Sequence, residues 1–348
     1  MKIKRSDVER MLIAGAAGLV LLLAMRGGDT QLPLEAMYEE PFDQIPVEAV
    51  VSQPLGPTQP TVVYYQDGEG YLVPVQRQVG KQEGIAKATL GLMVKDAYND
   101  MEAARLGLRT VIPEGTTFDL NIAGGRARID VSKEVLATVD AEQEANMVSA
   151  VVYTLTEFPT VTEVEFLVDG QKRSKLTHGT DVSGVFYRES LNLESVDGVL
   201  SAASMADARQ VQIFFPSESG RLLVPVTRMV HSEPDINTAM LELAKGPRKD
   251  SGLQQPLPED VGLVDVKISG STATVSFTKE FVRIAEQSDG GLQALRALML
   301  TCTQYPGVTN VKILVDGKEY TPQVPQEQTT FANVADLIVD TFPEIAFE

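Results

Sequence analysis

One stretch of this chain is written twice. Residues 71–79 read YLVPVQRQV and residues 222–230 read LLVPVTRMV, aligned without a gap. Three further blocks follow in the same order: 112–115 with 257–260, 127–136 with 273–282, and 158–170 with 305–317. The offset stays between 145 and 151 positions, so the blocks are collinear parts of one repeated unit. Solenoids stack many repeats of 20–45 residues, whereas two copies of more than a hundred residues each can bury a core apiece. The repeat predicts tandem domains at residues 61–190 and 209–322, with a connector at 191–208.

Each copy reads in the same way. A hairpin opens it, residues 62–65 with 72–79 and 211–215 with 222–230, turning at Asp67-Gly68 and Ser219-Gly220. A helix follows over 85–97 and 236–245, the second with Asp235 as N-cap and Gly246-Pro247 as its stop. A second hairpin joins 117–122 to 126–131 and 263–268 to 272–277. The next helix carries Val148, Val151, Val152 and Leu155, matched at a constant offset by Leu295, Leu298, Met299 and Cys302. That i, i+3, i+4, i+7 stripe is one buried helix face. A last strand, 164–168 or 311–315, runs into Asp-Gly, the two-residue hairpin signal. The order β-β-α-β-β-α-β predicts an α+β fold, with two helices on one face of a largely antiparallel sheet in a two-layer sandwich.

The N-terminus has a different character. Residues 1–10 carry Lys2, Lys4, Arg5 and Arg10, and the run from Met11 to Met25 is uncharged and apolar. Basic residues ahead of an apolar run orient a membrane segment with its N-terminus in the cytoplasm. Fifteen helical residues span about 22 Å, and snorkelling basic side chains make up the shortfall against a ~30 Å hydrocarbon core. We read residues 11–26 as an uncleaved single-pass transmembrane anchor. A cleaved signal peptide is the competing reading, disfavoured because no A-x-A-like site follows. Residues 27–60 hold Pro33, Pro41, Pro46, Pro54, Pro57 and Pro60, a semi-extended spacer. The domains are then extracytoplasmic.

Composition removes some functions. Thirty Lys and Arg against 48 Asp and Glu give a net charge of −18, which repels phosphate backbones and argues against a nucleic-acid partner. The one cysteine, Cys302, excludes an intrachain disulfide and a thiolate metal cluster; its counterpart is Leu155 on the core stripe, so it reads as a small buried hydrophobe. His178 and His231 occupy non-equivalent positions and lack an H-x-x-x-H or cysteine partner. Asp169 and Asp316 are equivalent, but each precedes glycine and reads as a turn residue rather than an acid–base pair. Lys133-Glu134 and Lys279-Glu280 close a strand or open a helix. Gly124-Gly125 and Gly290-Gly291 belong to no phosphate-loop pattern, and no G-x-S-x-G elbow exists. No catalytic, cofactor or metal residue is assigned, and no cofactor is expected.

The second copy has LELAKGP (residues 241–247), LPED (257–260), ATVSFTKEF (273–281) and VKILVDG (311–317). The first has IPEGTTF (112–118), ARIDVSKEV (127–135) and VEFLVDG (164–170). This succession resembles the GerMN-domain family of sporulation and spore germination proteins, in which a helix ending in Gly-Pro, an Ile/Leu-Pro turn, a strand of the ATVSF type and a terminal V-D-G strand recur. The first copy departs from it with Lys95-Asp96 in place of Gly-Pro and with an extra stretch, 98–110. The resemblance implies a non-enzymatic component of endospore formation and germination, on the mother-cell membrane and facing the space between the two membranes around the forespore. It also implies a fold akin to ring-building motifs, with protein partners or self-association in a membrane-bound complex. Better-known members are lipoproteins, and this chain lacks the lipobox cysteine. A cell-wall or small-molecule binding module, with the two domains forming a cleft, is the alternative; a histidine-dependent hydrolase is the weakest reading. Residues 323–348 carry Phe331, Val334, Leu337, Ile338, Val339 and Phe342, suited to an amphipathic helix packed in cis.

Overall fold

The computed structural model describes residues 57–82, 84–194, 208–287 and 291–321. The anchor at 11–26, most of the proline-rich spacer and the tail from 322 lie outside them. Among the described residues no helix is long and apolar enough to cross a membrane.

The first copy begins with the hairpin β1 (Thr58–Gln66) and β2 (Leu72–Gly80), paired in antiparallel register with Tyr64 opposite Pro74. Val63, Tyr65, Val73 and Val75 share one face and are buried. Helix α1 (Ile85–Gly91) is shorter than the 85–97 expected. It stops because Val94 bridges Ile112 and the Lys95 N–H donates to the Ile112 carbonyl, which draws the chain off the helix axis. The extra stretch then forms its own helix, α2 (Ala97–Ala104), capped by Asp96 accepting from the Asn99 N–H at 2.7 Å.

Strands β3 (Phe118–Ala123), β4 (Arg126–Val131), β5 (Glu163–Val168) and β6 (Val185–Phe186) form a sheet in that order. Helix α3 (Ala141–Thr156) crosses over between β4 and β5, so these two strands are parallel while the other pairs are antiparallel.

The second copy repeats the plan with β7 (Arg209–Pro216), β8 (Leu223–Val230), α4 (Ile236–Lys245), β9 (Leu263–Ser269), β10 (Thr272–Phe277), α5 (Leu292–Thr303), β11 (Asn310–Val315) and β12 (Lys318–Glu319). A 3-10 helix follows β4 at Lys133–Leu136 and β10 at Lys279–Glu286. Both terminal Asp-Gly pairs have two successive positive φ angles, 49° and 73° at Asp169-Gly170 and 53° and 77° at Asp316-Gly317, the signature of the type I′ turn.

The composition of each copy is α+β, but the layering differs from the two-layer sandwich expected. The opening hairpin is a separate two-stranded sheet and does not join the four-stranded one. Helix α3 packs on β1 on one side and on β5 on the other, and α5 packs on β7 and β11. A helix between two sheets must be apolar on more than one stripe, and in α3 Met147, Val148, Ala150, Val151, Val152, Tyr153 and Leu155 are all buried. One polar residue follows the same logic. Thr154 accepts the Tyr64 N–H of β1 at 3.2 Å, and its counterpart Thr301 accepts the Phe214 N–H of β7 at 3.3 Å. Both threonines are fully buried, so each copy satisfies a strand-edge donor with a helix hydroxyl.

Candidate functional site

The residues with reactive side chains do not converge. Cys302 is fully buried with its sulfur 3.5 Å from that of Met240, and burial pushes its thiol up to about 12. His178 is held in a loop: its Nε2 lies 2.7 Å from the Thr138 carbonyl oxygen, and its backbone N–H donates to Glu144 Oε2 at 2.8 Å. The Thr180 N–H donates to the other oxygen of Glu144 at 2.9 Å. Burial alone would raise the Glu144 pKa, but the His178 and Thr180 backbone donors outweigh it and hold the carboxyl below its usual range. Glu144 thus clamps the 177–180 loop against the first turn of α3. His231 is exposed at the end of β8, Asp169 and Asp316 sit in their turns, and the two Lys-Glu pairs open the 3-10 helices. Among the described residues no three His, Cys, Asp or Glu side chains are grouped to hold a metal.

What the structure does build is a junction. Both copies lie within one compact unit, and they meet through corresponding parts of their opening hairpins. A slot of about 380 Å³ between them is lined by Tyr64 and Pro74 from the first copy and by their counterparts Phe214 and Pro225 from the second. Glu157 and its counterpart Gln304 flank it.

The chain between the copies is stitched into both. Arg188 lies over the Tyr153 ring at 4.7 Å, donates to the Tyr64 hydroxyl at 2.8 Å and pairs with Glu157. Asn192, at φ 51°, accepts the Leu72 N–H at 2.8 Å while its amide nitrogen donates to the carbonyls of Leu72 and Pro225 at 2.8 and 2.7 Å. One side chain therefore bridges β2 of the first copy and β8 of the second. Glu194 forms two bonds with Arg228 of β8, at 2.6 and 3.0 Å, and Arg228 reaches Glu242 of α4 at 3.1 Å. Burial would lower the Arg228 pKa, but the Glu194 and Glu242 carboxylates more than offset it, so the guanidinium stays charged.

The sequence profile of a family described as sporulation and spore germination, Germane, matches residues 62–174 and 212–321. The chain belongs to the Germane family. It is 30% identical over 264 residues to the spore germination protein GerM of Bacillus subtilis, across 74% of this chain and 71% of that protein. It is also similar to the solved tandem GerMN domains of the sporulation protein GerM from Bacillus subtilis, with a TM-score of 0.64 and 30% identity over 75% of this chain and 92% of that one. The GerMN resemblance carried by the short motifs is therefore confirmed, and the duplicated unit is a Germane domain with its tandem arrangement.

Family membership sharpens the reading of the junction. One matched pair serves each domain's own fold. Arg77 lies over the Tyr65 ring at 5.9 Å and Arg228 over the Phe215 ring at 5.6 Å, the same contact made twice. Arg188 and Asn192, by contrast, fall between the two profile matches. No periodicity announces them; the one signal available was Asn192 itself, a residue type tolerant of positive φ.

A second cleft, of about 1000 Å³, opens between the copies on the side of Glu69, Glu142, Asn146, Ser149 and Asp250. Its lining is mixed and polar.

Proposed function

We propose that this Germane protein is a non-enzymatic, membrane-tethered assembly component of endospore formation and germination. Its domains are displayed outside the membrane and associate with copies of themselves or with other proteins of a sporulation complex. In sporulating cells it sits on the mother-cell membrane facing the intermembrane space, held by the apolar segment 11–26. Family membership and the similarity to GerM support the sporulation role, and the apolar segment supports the tether.

The observation that carries the assembly reading is a pair of matching outer strands among the described residues. Strands β3 and β9 are the outer strands of their sheets, and Ile122 and Ile268 stand at corresponding positions, each opposite an alanine, 38% and 52% exposed. An open strand edge with apolar side chains at its end is a template for another chain, and such edges are ordinarily blunted unless used. Because β3 and β9 belong to different copies, the β9 edge of one molecule can pair with the β3 edge of the next and repeat. The test is the size of the extracytoplasmic part by sedimentation, alone and with sporulation-complex proteins, for the native chain and for Ile122→Lys with Ile268→Lys. Assembly lost in the double variant is expected. A strictly monomeric native protein that binds no partner refutes the reading.

The larger polar cleft favours one second reading, a cell-wall binding module, since carboxylates, amides and hydroxyls line it. Co-sedimentation with purified peptidoglycan separates the two readings.

A further inference from the structure

The helix that only the first copy has is folded inside out. A surface helix ordinarily turns its apolar side to the core and its polar side to water. In α2 the polar residues are the ones turned inward. Asn99 is 6% exposed, and its Nδ2 donates to the Gly91 and Val94 carbonyls at 2.9 and 2.8 Å. Asp100 accepts from the Thr110 hydroxyl at 2.6 Å, and Glu102 pairs with Arg77 of β2 at 3.4 Å. Of the apolar residues of this helix only Ala103 is buried. Ala97, Tyr98, Met101 and Ala104 face outward, and the two large ones, Tyr98 and Met101, are 46% and 44% exposed. At 3.6 residues per turn these four and the C-cap Arg105 fall on one arc about 120° wide that holds no other residue of the helix.

The domain's own fold does not account for that arc. The second copy passes from α4 to Leu257 with no counterpart of residues 98–110, and it still builds the same hairpin, long helix and four-stranded sheet. The inward polar contacts fasten α2 to the domain, and the outward apolar residues take no part in them.

We propose that α2 is a self-association surface, packing antiparallel on α2 of a second copy of this chain across a two-fold axis near Met101. Charge selects that arrangement. Arg105 is the one charge on the arc and stands at its C-terminal end, whereas Asp96 and Asp100 belong to the N-terminal end and Lys95 precedes the cap. Parallel packing would set Arg105 against its own copy; antiparallel packing sets it against the Asp96 end. The same arrangement places Ala97 opposite Ala104, small residues that let the helices approach closely, with Met101 and Tyr98 supplying the buried area. A patch that is its own complement makes the isologous contact of a closed dimer. The acidic groups at the N-terminal end disfavour an anionic lipid surface as the occupant. One short helix covers less than the roughly 800 Å² per partner of a standard interface, so the contact is weak in dilute solution and favoured where a tether concentrates the molecules in one membrane. The inference rests on the self-association part of the reading above, but not on strands β3 and β9.

Thiol crosslinking of the full-length chain in vesicles of phosphatidylcholine with phosphatidylglycerol tests it, because the native Cys302 is buried and silent. With a short bis-maleimide, Met101→Cys is expected to give at least about 10-fold more covalent dimer than Val139→Cys, a site 76% exposed and away from α2. Tyr98→Lys with Ala104→Lys, both at exposed positions, is expected to remove that excess. Ile122→Lys with Ile268→Lys is expected to leave it in place, so failure of the strand edges and failure of this contact are read apart. Equal yields from positions 101 and 139 overturn the proposal. So does a position-101 thiol that a monofunctional maleimide labels but that forms no dimer, or one that the bilayer shields. A dimer lost with the isoleucine variant belongs to the strand edges and overturns it equally. The comparison of positions 101 and 139 stands whether or not the lysine variants fold.

Discussion

Replacing Asn192 should loosen the two domains from each other more than it harms either one. Its side chain makes three hydrogen bonds, to the Leu72 N–H, the Leu72 carbonyl and the Pro225 carbonyl, all at 2.7–2.8 Å. Leu72 is 1% exposed and Pro225 is buried, so water cannot readily replace the lost partner. At about 1 kcal/mol net per bond, Asn192→Gly is expected to cost about 3 kcal/mol. Asn192→Ala loses the same bonds and must also hold φ at 51°, adding about 1 kcal/mol. Asn192→Asp keeps an acceptor for the Leu72 N–H and tolerates the backbone, but it turns a carboxylate toward two carbonyl oxygens, so it should cost no less than glycine. For a body of this size about 3 kcal/mol corresponds to a Tm drop of roughly 6–12 °C. Differential scanning calorimetry of the native chain and the three variants measures it, and uncoupled domains should appear as a broadened or split transition. If Asn192→Gly and Asn192→Ala both melt within 1–2 °C of the native protein, the bridge does not hold the domains together and the junction argument fails.

Other consequences are simpler to check. Cys302, with its thiol pushed up to about 12 by burial, should resist a thiol-specific reagent at pH 8 in the native protein and react stoichiometrically once urea unfolds it. Thr301→Val keeps the shape but strands the Phe214 N–H, at an expected cost of about 1–3 kcal/mol in urea unfolding, with the same range for Thr154→Val at Tyr64. Glu144 has its folded pKa below the unfolded value of 4.5, so its contribution is fully present above pH 4.5 and is lost as pH falls through the lower, folded value. Glu144→Gln should therefore be less stable than native at pH 6, and the difference should narrow between pH 4.5 and pH 2.5 when Tm is followed with pH.

The features read correctly from sequence are those a short window encodes. Asp169-Gly170 and Asp316-Gly317 specify a type I′ turn because few other residue pairs tolerate two positive φ angles, and the Val148–Leu155 stripe specifies a buried helix face because 3.6 residues make a turn. The layering was illegible for a physical reason. Alternation along β1 shows which residues share a face, but not whether that hairpin joins the larger sheet or closes over the far side of α3. The end of α1 failed similarly: Gly91 tolerates a helix interior, and the pairing of Val94 with Ile112 that breaks it is a contact made 18 residues away. Thr154 and Thr301 stood at matching positions inside a recognised helix, yet threonine in a helix is ordinarily unremarked, and only the strand N–H beside each gives the pair its meaning. Arg188 and Asn192 lie where the repeat offers no comparison at all.

Duplication also constrains how such a protein can assemble. Tyr64 faces the slot with Phe214, Pro74 with Pro225 and Glu157 with Gln304, so the two copies present corresponding surfaces to each other. Contact through the same patch on both partners is isologous and closes after two units. In this chain it closes within one molecule, fastened by Asn192, so the faces of the opening hairpins that meet there are already used. Any extended assembly must use surfaces outside that junction, and head-to-tail surfaces are the kind that propagate. Strands β3 and β9 meet both conditions: they lie on the outer edges of separate sheets, and their exposed isoleucines are repeated although neither contributes to its own domain's buried core.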